Sequence, residues 1–93
     1  MFKITRGTGF QMTFENGWTI SVQFGYGNYC DNNRHPDGFD FGKNKDIVQS
    51  SDAEIAIWDS KGSWYTFEGG EEVKGHCSAD EVATWIEFTK NQK

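Results

Sequence analysis

The chain has 93 residues and a formal net charge of −5 at pH 7, and 16% of its residues are aromatic against 35% hydrophobic in total. A chain of this length forms a single domain, residues 1–93, whose core must depend on a few large aromatic side chains. The negative charge argues against a surface for duplex nucleic acid, which needs clustered Lys and Arg. The chain lacks both the apolar run of a signal peptide and a membrane-spanning run, so we expect a cytoplasmic protein that contacts no membrane.

Two strands joined by a tight turn are predicted between Phe10 and Phe24. Apolar and polar residues alternate on both sides of the turn with the period of a β-strand. A two-residue loop would pair apolar with polar residues, whereas the three-residue loop Glu15-Asn16-Gly17 puts the apolar residues of both strands on one face. We therefore expect a type I turn closed by a G1 bulge, with Gly17 in the left-handed conformation. The predicted pairs are Phe14 with Trp18, Met12 with Ile20 and Phe10 with Val22.

A short edge strand at Phe2–Thr5 is predicted to pair beside the first strand of this hairpin. The stretch from Asp31 to Asp52 is polar and rich in Asn, Asp, Gly and Lys. A connection of this length in a small domain is either functional or contains short strands, here near Phe39–Phe41 and Ile47–Val48.

A second hairpin is predicted to begin at Ala53, with Ser60-Lys61-Gly62 as its three-residue loop. This loop places two Trp side chains, Trp58 and Trp64, on the face opposite the core. The residues after the hairpin, 68–75, are predicted to be a polar connector. The core face of the hairpin carries Ile55, Ile57, Tyr65 and Phe67.

A helix is predicted from about Ala79 to about Lys90, because Ser78 and Glu81 have the spacing of a capping box. The fold class that follows is α+β: an antiparallel sheet of four to five strands, made of two hairpins and the N-terminal edge strand, with one C-terminal helix packed on it. The predicted inner stripe of the helix is Val82, Trp85, Ile86 and Thr89, flanked by Ala83 and Phe88.

Metal and catalytic sites are not expected. Cys30, His35, His76 and Cys77 lack the spacing of a structural zinc site, and Cys77 can instead pack on Val82 as a hydrophobic staple. The Asn- and Asp-rich connection does not fit an EF-hand loop, and no nucleophile elbow, phosphate-binding loop or dinucleotide fingerprint occurs. We therefore expect no cofactor, no metal and no catalytic residue, and a protein that is not an enzyme.

The recognition surface is predicted at the glycine-rich exit of the first hairpin and at the Trp face of the second. Gly25 and Gly27 remove side chains where the strand ends, so that backbone amides there can contact an anion or a carbonyl group. Tyr rings can stack on a base, Asn side chains donate and accept hydrogen bonds, and a guanidinium fits a phosphate or a carboxylate. The expected ligand-binding residues are Tyr26, Asn28, Tyr29, Asn33, Arg34, His35, Trp58 and Trp64.

Simpler structural roles for these residues stay open. Turn chemistry alone explains the Asn and Gly residues, with Arg34 paired to Asp31 or Asp37 at the surface. Burial under the helix or the long connection is the favoured alternative for Trp58 and Trp64.

The stretches GFQMTFENGWTISVQFGYGNYCDN, AEIAIWD and VKGHCSADEVATWI resemble a group of small proteins of tailed bacteriophages and prophages. The resemblance covers most of the chain outside residues 33–50 and assigns no activity to any residue. It implies an accessory factor made during infection, and we expect an anti-defence binding or inhibitor protein that sequesters a nucleotide-like signalling ligand or blocks a host defence protein. The alternatives are a virion or assembly-related structural protein and a small metal-dependent enzyme, and a homo-oligomer stays open.

Overall fold

The structure, a computed structural model, describes residues 1–5, 8–25 and 49–93. These residues form a five-stranded antiparallel sheet, in which each strand pairs with the next along the chain, and one helix, as the predicted α+β class requires. The predicted short strands near residues 39–41 and 47–48 lie outside the described residues. The elements are β1 (Phe2–Ile4), β2 (Gly9–Thr13), β3 (Thr19–Gln23), β4 (Ala53–Trp58), β5 (Lys74–Cys77) and α1 (Ala79–Lys90).

The register of the β2–β3 hairpin is the predicted one. Met12 pairs with Ile20 and Phe10 with Val22, and the loop closes with Phe14 N–H donating to Trp18 O at 2.9 Å. Gly17 has a φ of 86°, the left-handed conformation that the three-residue loop requires. The pairing of β1 with β2, through Phe2 and Met12, confirms the predicted edge strand.

The turn of this hairpin also holds the end of the helix. The Asn16 side-chain amide donates to the backbone carbonyls of Thr89, Lys90 and Gln92 at 2.9, 3.2 and 2.8 Å, while Asn16 Oδ1 accepts from Trp18 N–H at 2.9 Å. The last carbonyls of a helix have no partner within the helix, so a donor placed there replaces water. Asn16 thereby connects the tip of the first hairpin to the C-terminus of α1.

The second turn is as predicted, but the strand that follows it is not. Asp59 N–H donates to Ser63 O at 3.0 Å, and Gly62 has a φ of 83°. Beyond it, Trp64 forms only an isolated bridge with Trp58, and the chain then leaves the sheet. The fifth strand is β5, which starts at Lys74, inside the stretch predicted to be a connector.

The rings of Tyr65 and Phe67 explain this departure. They pack with Trp85 and Phe88 of α1 in an aromatic cluster, with ring centroids 4.9 Å apart for Phe67 and Trp85 and 5.0 Å apart for Tyr65 and Phe88. Burying one large apolar side chain stabilises a protein by about 1.5–3 kcal/mol, and one hydrogen bond by about 0.5–1.5 kcal/mol net. Packing against α1, together with the pairing of Ile55 with Lys74 of β5, therefore takes the place of two further pairs in the sheet.

The core lies between α1 and one face of the sheet. Ile20, Ile55 and Ile57 are 0% exposed, and α1 contacts β3, β4 and β5. The helix does not extend over β1, so Phe2 and Ile4, on the same face, are 72% and 82% exposed. The predicted inner stripe of the helix is confirmed at Val82 and Thr89, which are buried, and at Trp85 and Ile86, which are half-buried.

Replacing Gly17 by Ala should destabilise the protein more than the same change at Gly62. Both glycines have a left-handed φ, so each substitution costs about 1–2 kcal/mol of backbone strain. At Gly17 the new Cβ would also lie 2.6 Å from Ser60 Cβ, whereas at Gly62 it meets nothing within 4 Å. In thermal denaturation, we expect Gly17→Ala to have the lower Tm, at about 4–8 °C for each kcal/mol. The double variant Gly17→Ala with Ser60→Gly should recover part of the difference, and equal Tm values for the two single variants would contradict the contact.

Replacing Asn16 by Ala should lower the free energy of unfolding by about 1–3 kcal/mol, because the part-buried carbonyls of Thr89 and Gln92 lose their donor. Asn16→Asp should be at least as destabilising, since it puts a negative charge at the negative end of the helix dipole. Urea denaturation measures both effects. The exposed neighbour Glu15→Ala is the control, and an Asn16→Ala protein as stable as this control would show that Asn16 does not hold the helix.

Candidate functional site

A pocket lies between the first half of α1 and the strands β2 and β3. Its volume is about 460 Å³, within the range of sites that take small ligands or a partner's side chain. One wall consists of Phe10, Val22 and Phe24, in which the two Phe rings meet edge to face with centroids 6.4 Å apart. The described residues on this side of the pocket are therefore entirely apolar.

The helix side of the pocket is open because its residues are small. Ala79 and Ala83 line it one turn apart, with Ile86 beyond them and the buried Val82 beside them. The other flank of the same helix carries Trp85 and Phe88. Large rings thus fill the space on one side of α1, whereas two methyl groups leave a cavity on the other.

Residues 49–52 provide the polar side of the pocket, and Asp52 is fixed within it. Asp52 Oδ2 lies 2.9 Å from Nδ1 of His76, and the His76 side chain is 60% exposed while that of Asp52 is 14% exposed. Ser50 Oγ donates to the backbone carbonyl of Asp52 at 2.6 Å. The segment that enters β4 is therefore held to β5 at the edge of the pocket.

A β-bulge places His76 in this contact. Ala53 pairs with Cys77 and Ile55 with Lys74, so β5 has one residue more than β4 between the two pairs. His76 has a φ of 52°, a left-handed conformation that non-glycine residues rarely adopt. The bulge directs the imidazole to Asp52 and keeps the next residue, Cys77, on the core side.

Cys77 is a free thiol in the wall of the pocket, and it is 1% exposed. Burial, followed by the negative charge of Glu81, raises the pKa of its thiol, so the thiolate is disfavoured. Its Sγ lies 3.7 and 3.8 Å from the carbonyls of Lys74 and Gly75. A protonated, buried thiol is a poor nucleophile, and Cys77 serves packing rather than covalent chemistry.

The N-terminus of α1 is closed by its own capping box, as predicted. Ser78 Oγ accepts from Glu81 N–H at 3.2 Å, and the Glu81 carboxylate accepts from Ser78 N–H at 3.1 Å. The hydrogen bond from the Ser78 backbone, followed by that from its side chain, lowers the pKa of the Glu81 carboxyl. Because a carboxylate already occupies this end of the helix, the end is poorly suited to a phosphate ligand.

The two Trp residues of the predicted recognition surface lie on the other face of the sheet. Trp58 and Trp64 stack with ring centroids 5.2 Å apart and an angle of 28° between the rings. Trp64 is 47% exposed and Trp58 is half-buried, so the favoured expectation of burial is wrong for Trp64. Neither Trp lines the pocket. The other predicted ligand-binding residues, Tyr26, Asn28, Tyr29, Asn33, Arg34 and His35, lie outside the described residues.

Sequence reasoning assigned the pocket residues to the core and so missed the pocket. Phe10 and Val22 alternate as core residues do, and nothing in the alternation reveals an unfilled space. The one available signal is the pair of small residues, Ala79 and Ala83, on the same helix face as Ile86.

In the part of the chain that the structure describes, no three His, Cys, Asp or Glu side chains lie close enough together to hold a metal ion.

Comparisons with protein-family models, with curated proteins and with solved structures find no match for this chain. Among residues 1–5, 8–25 and 49–93, no helix combines the length and the apolar character needed to cross a bilayer. What the pocket can bind is therefore inferred from its own residues.

In a Cys30→Ser variant, Cys77 should react slowly with a disulfide reagent such as dithiobis-nitrobenzoate at about pH 8, because burial disfavours the thiolate. We expect the native protein to react more slowly than the same protein in urea by a factor on the order of ten or more, since reaction requires local opening. Equal rates in the two conditions would show that Cys77 is accessible.

Proposed function

We propose that the protein is a non-catalytic binding protein that blocks a host protein by taking an apolar side chain of that protein into the pocket. The observation that supports this proposal is the 460 Å³ pocket, whose walls are apolar on both the strand side and the helix side. Apolar pockets of this size bind by removing hydrophobic surface from water, and a large partner side chain gains about 1.5–3 kcal/mol from burial. The polar residues 49–52 would contact the partner around the buried group.

The biological setting in this proposal comes from the sequence resemblance to small phage and prophage proteins. An anti-defence inhibitor made during infection would act in the cytoplasm of the host cell. A virion or assembly-related role is the alternative. Mass spectrometry of purified particles separates the two, because a structural component would be present there in stoichiometric amount.

The chemistry of the described residues favours binding over catalysis. The thiol of Cys77 is buried and its pKa is raised, so the thiolate that a nucleophilic mechanism needs is disfavoured, and Asp52 and His76 bind each other at the pocket edge. A small metal-dependent enzyme, the less favoured alternative, would need ligands from residues outside the described part of the chain.

A nucleotide-like ligand is a second candidate, and it gains little from this pocket. Its described lining contains neither Lys nor Arg to pair with a phosphate, and Glu81 already caps the adjacent helix end. That candidate depends on Arg34 and the Tyr residues near it, which lie outside the described residues. A host protein with an exposed apolar side chain therefore fits the described pocket better.

Filling the pocket should weaken binding without unfolding the protein. Ala83 is exposed, lines the pocket and lies in the middle of α1. Ala83→Leu adds three carbon atoms to the pocket, and Leu is a residue that favours the helix. We expect affinity for a neutral naphthylamine dye, and for a host protein retained in native mass spectrometry of infected-cell extract, to fall about tenfold or more.

Thr84→Leu is the matched control, since Thr84 is the next residue of the helix, is exposed and does not line the pocket. Its binding should equal that of the unmodified protein. Circular dichroism would establish that both variants keep the same Tm. If Ala83→Leu binds as tightly as Thr84→Leu, the pocket is not the recognition site.

A further inference from the structure

The stacked Trp pair ends a row of side chains on the face of the sheet opposite the helix. In this row Thr13 pairs with Thr19, Thr19 with Trp58, and Trp58 with Trp64. The ring of Trp64 stacks on Trp58, yet Trp64 is 47% exposed. One face of its indole is therefore covered and the other is open at the margin of the sheet.

The backbone beside this ring is an open sheet edge. Asp59 N–H donates to Ser63 O at 3.0 Å and Tyr65 N–H donates to Ile57 O at 2.7 Å, on either side of Trp64. In an antiparallel ladder the intervening residue then directs its own N–H and C=O away from its partner strand. Within the described residues, neither group of Trp64 makes a hydrogen bond. β5 does not cover this edge, since it pairs with β4 only between Ala53 and Ile55.

The turn that follows this edge is acidic. Phe67 N–H donates to Glu71 O at 2.7 Å, which folds the chain back directly after the edge, and Glu68, Glu71 and Glu72 are all exposed. The whole chain carries a charge of −5. An incoming strand with acidic residues would be repelled here, whereas a basic strand would be attracted.

We propose that this edge, residues 63–65, binds an extended basic segment of a partner protein. The segment would add a strand by hydrogen bonding to the N–H and C=O of Trp64. An Arg side chain of the segment would lie on the open face of the Trp64 indole, because a guanidinium stacks on an aromatic ring and remains hydrated at its edge. This inference is independent of the pocket on the helix face and goes beyond the proposed function.

The test is calorimetric titration with a short, terminally blocked peptide in which Arg alternates with Thr. We expect the peptide to bind the unmodified protein and to bind Trp64→Ala about tenfold more weakly, with no change in Tm beyond that of an exposed substitution. A peptide with Glu in place of Arg should not bind. A peptide methylated at alternate backbone nitrogens should also lose affinity, because it cannot donate to the edge.

Thr84→Leu serves as the control protein, since Thr84 is exposed on the helix and belongs neither to the pocket nor to the Trp64 edge, and this variant should bind the Arg peptide normally. The comparisons of the Arg peptide with the Glu peptide and with the methylated peptide use the unmodified protein. They therefore test the proposed strand addition even if Trp64→Ala fails to fold. Absence of Arg-peptide binding would overturn the proposal, and so would equal affinity for the Glu peptide or for the methylated one. A dimer that Trp64→Ala abolishes, without peptide binding, would assign the edge to a second copy of the chain instead.

Discussion

The contact between the Asn16 side chain and the C-terminus of α1 sets the arrangement of the whole domain. The amide has two hydrogens and meets three backbone carbonyls, those of Thr89 and Lys90 in the last turn of the helix and that of Gln92 just beyond it. It can do so only because Gly17 takes a left-handed conformation and the turn therefore has three residues. A helix of 12 residues is marginal alone in water, so docking to the hairpin is part of what makes α1 stable.

With its C-terminus held at the hairpin, α1 divides the core face of the sheet into two unequal parts. Along one flank, Trp85 and Phe88 meet Tyr65 and Phe67 and fill the available space. Along the other, Ala79 and Ala83 are too short to reach Phe10 of β2 and Phe24 just after β3, and the pocket remains. Because the position of α1 is fixed and the side chains on its two flanks differ in size, a cavity is left on the flank with the small side chains, without strain in the helix backbone.

The sequence predicted those features that depend on near neighbours. Alternation on both sides of Asn16 and Gly17 gave the register of the first hairpin, and Ser78 with Glu81 gave the first residue of the helix. The sequence did not predict β5, because Lys74, Gly75 and His76 have little strand propensity. This segment is a strand only because it pairs with the open edge of β4. The pocket was missed for a related reason: a void depends on distances between elements that are far apart in sequence, and the identities of its residues equally suit a filled core.

The pocket and the open edge lie at opposite ends and on opposite faces of the same strand. Ala53, at the start of β4, lines the pocket, and Trp58, at its end, carries the Trp64 ring. Between them Ile55 and Ile57 are fully buried, and β4 is paired with β3 from Glu54 to Trp58. Energetic coupling between two binding sites requires a structural element that can take two arrangements. A buried strand in a fixed register has only one arrangement. Occupants of the two sites should therefore contribute independently to affinity, and a partner that contacts both would gain from two separate, additive contacts.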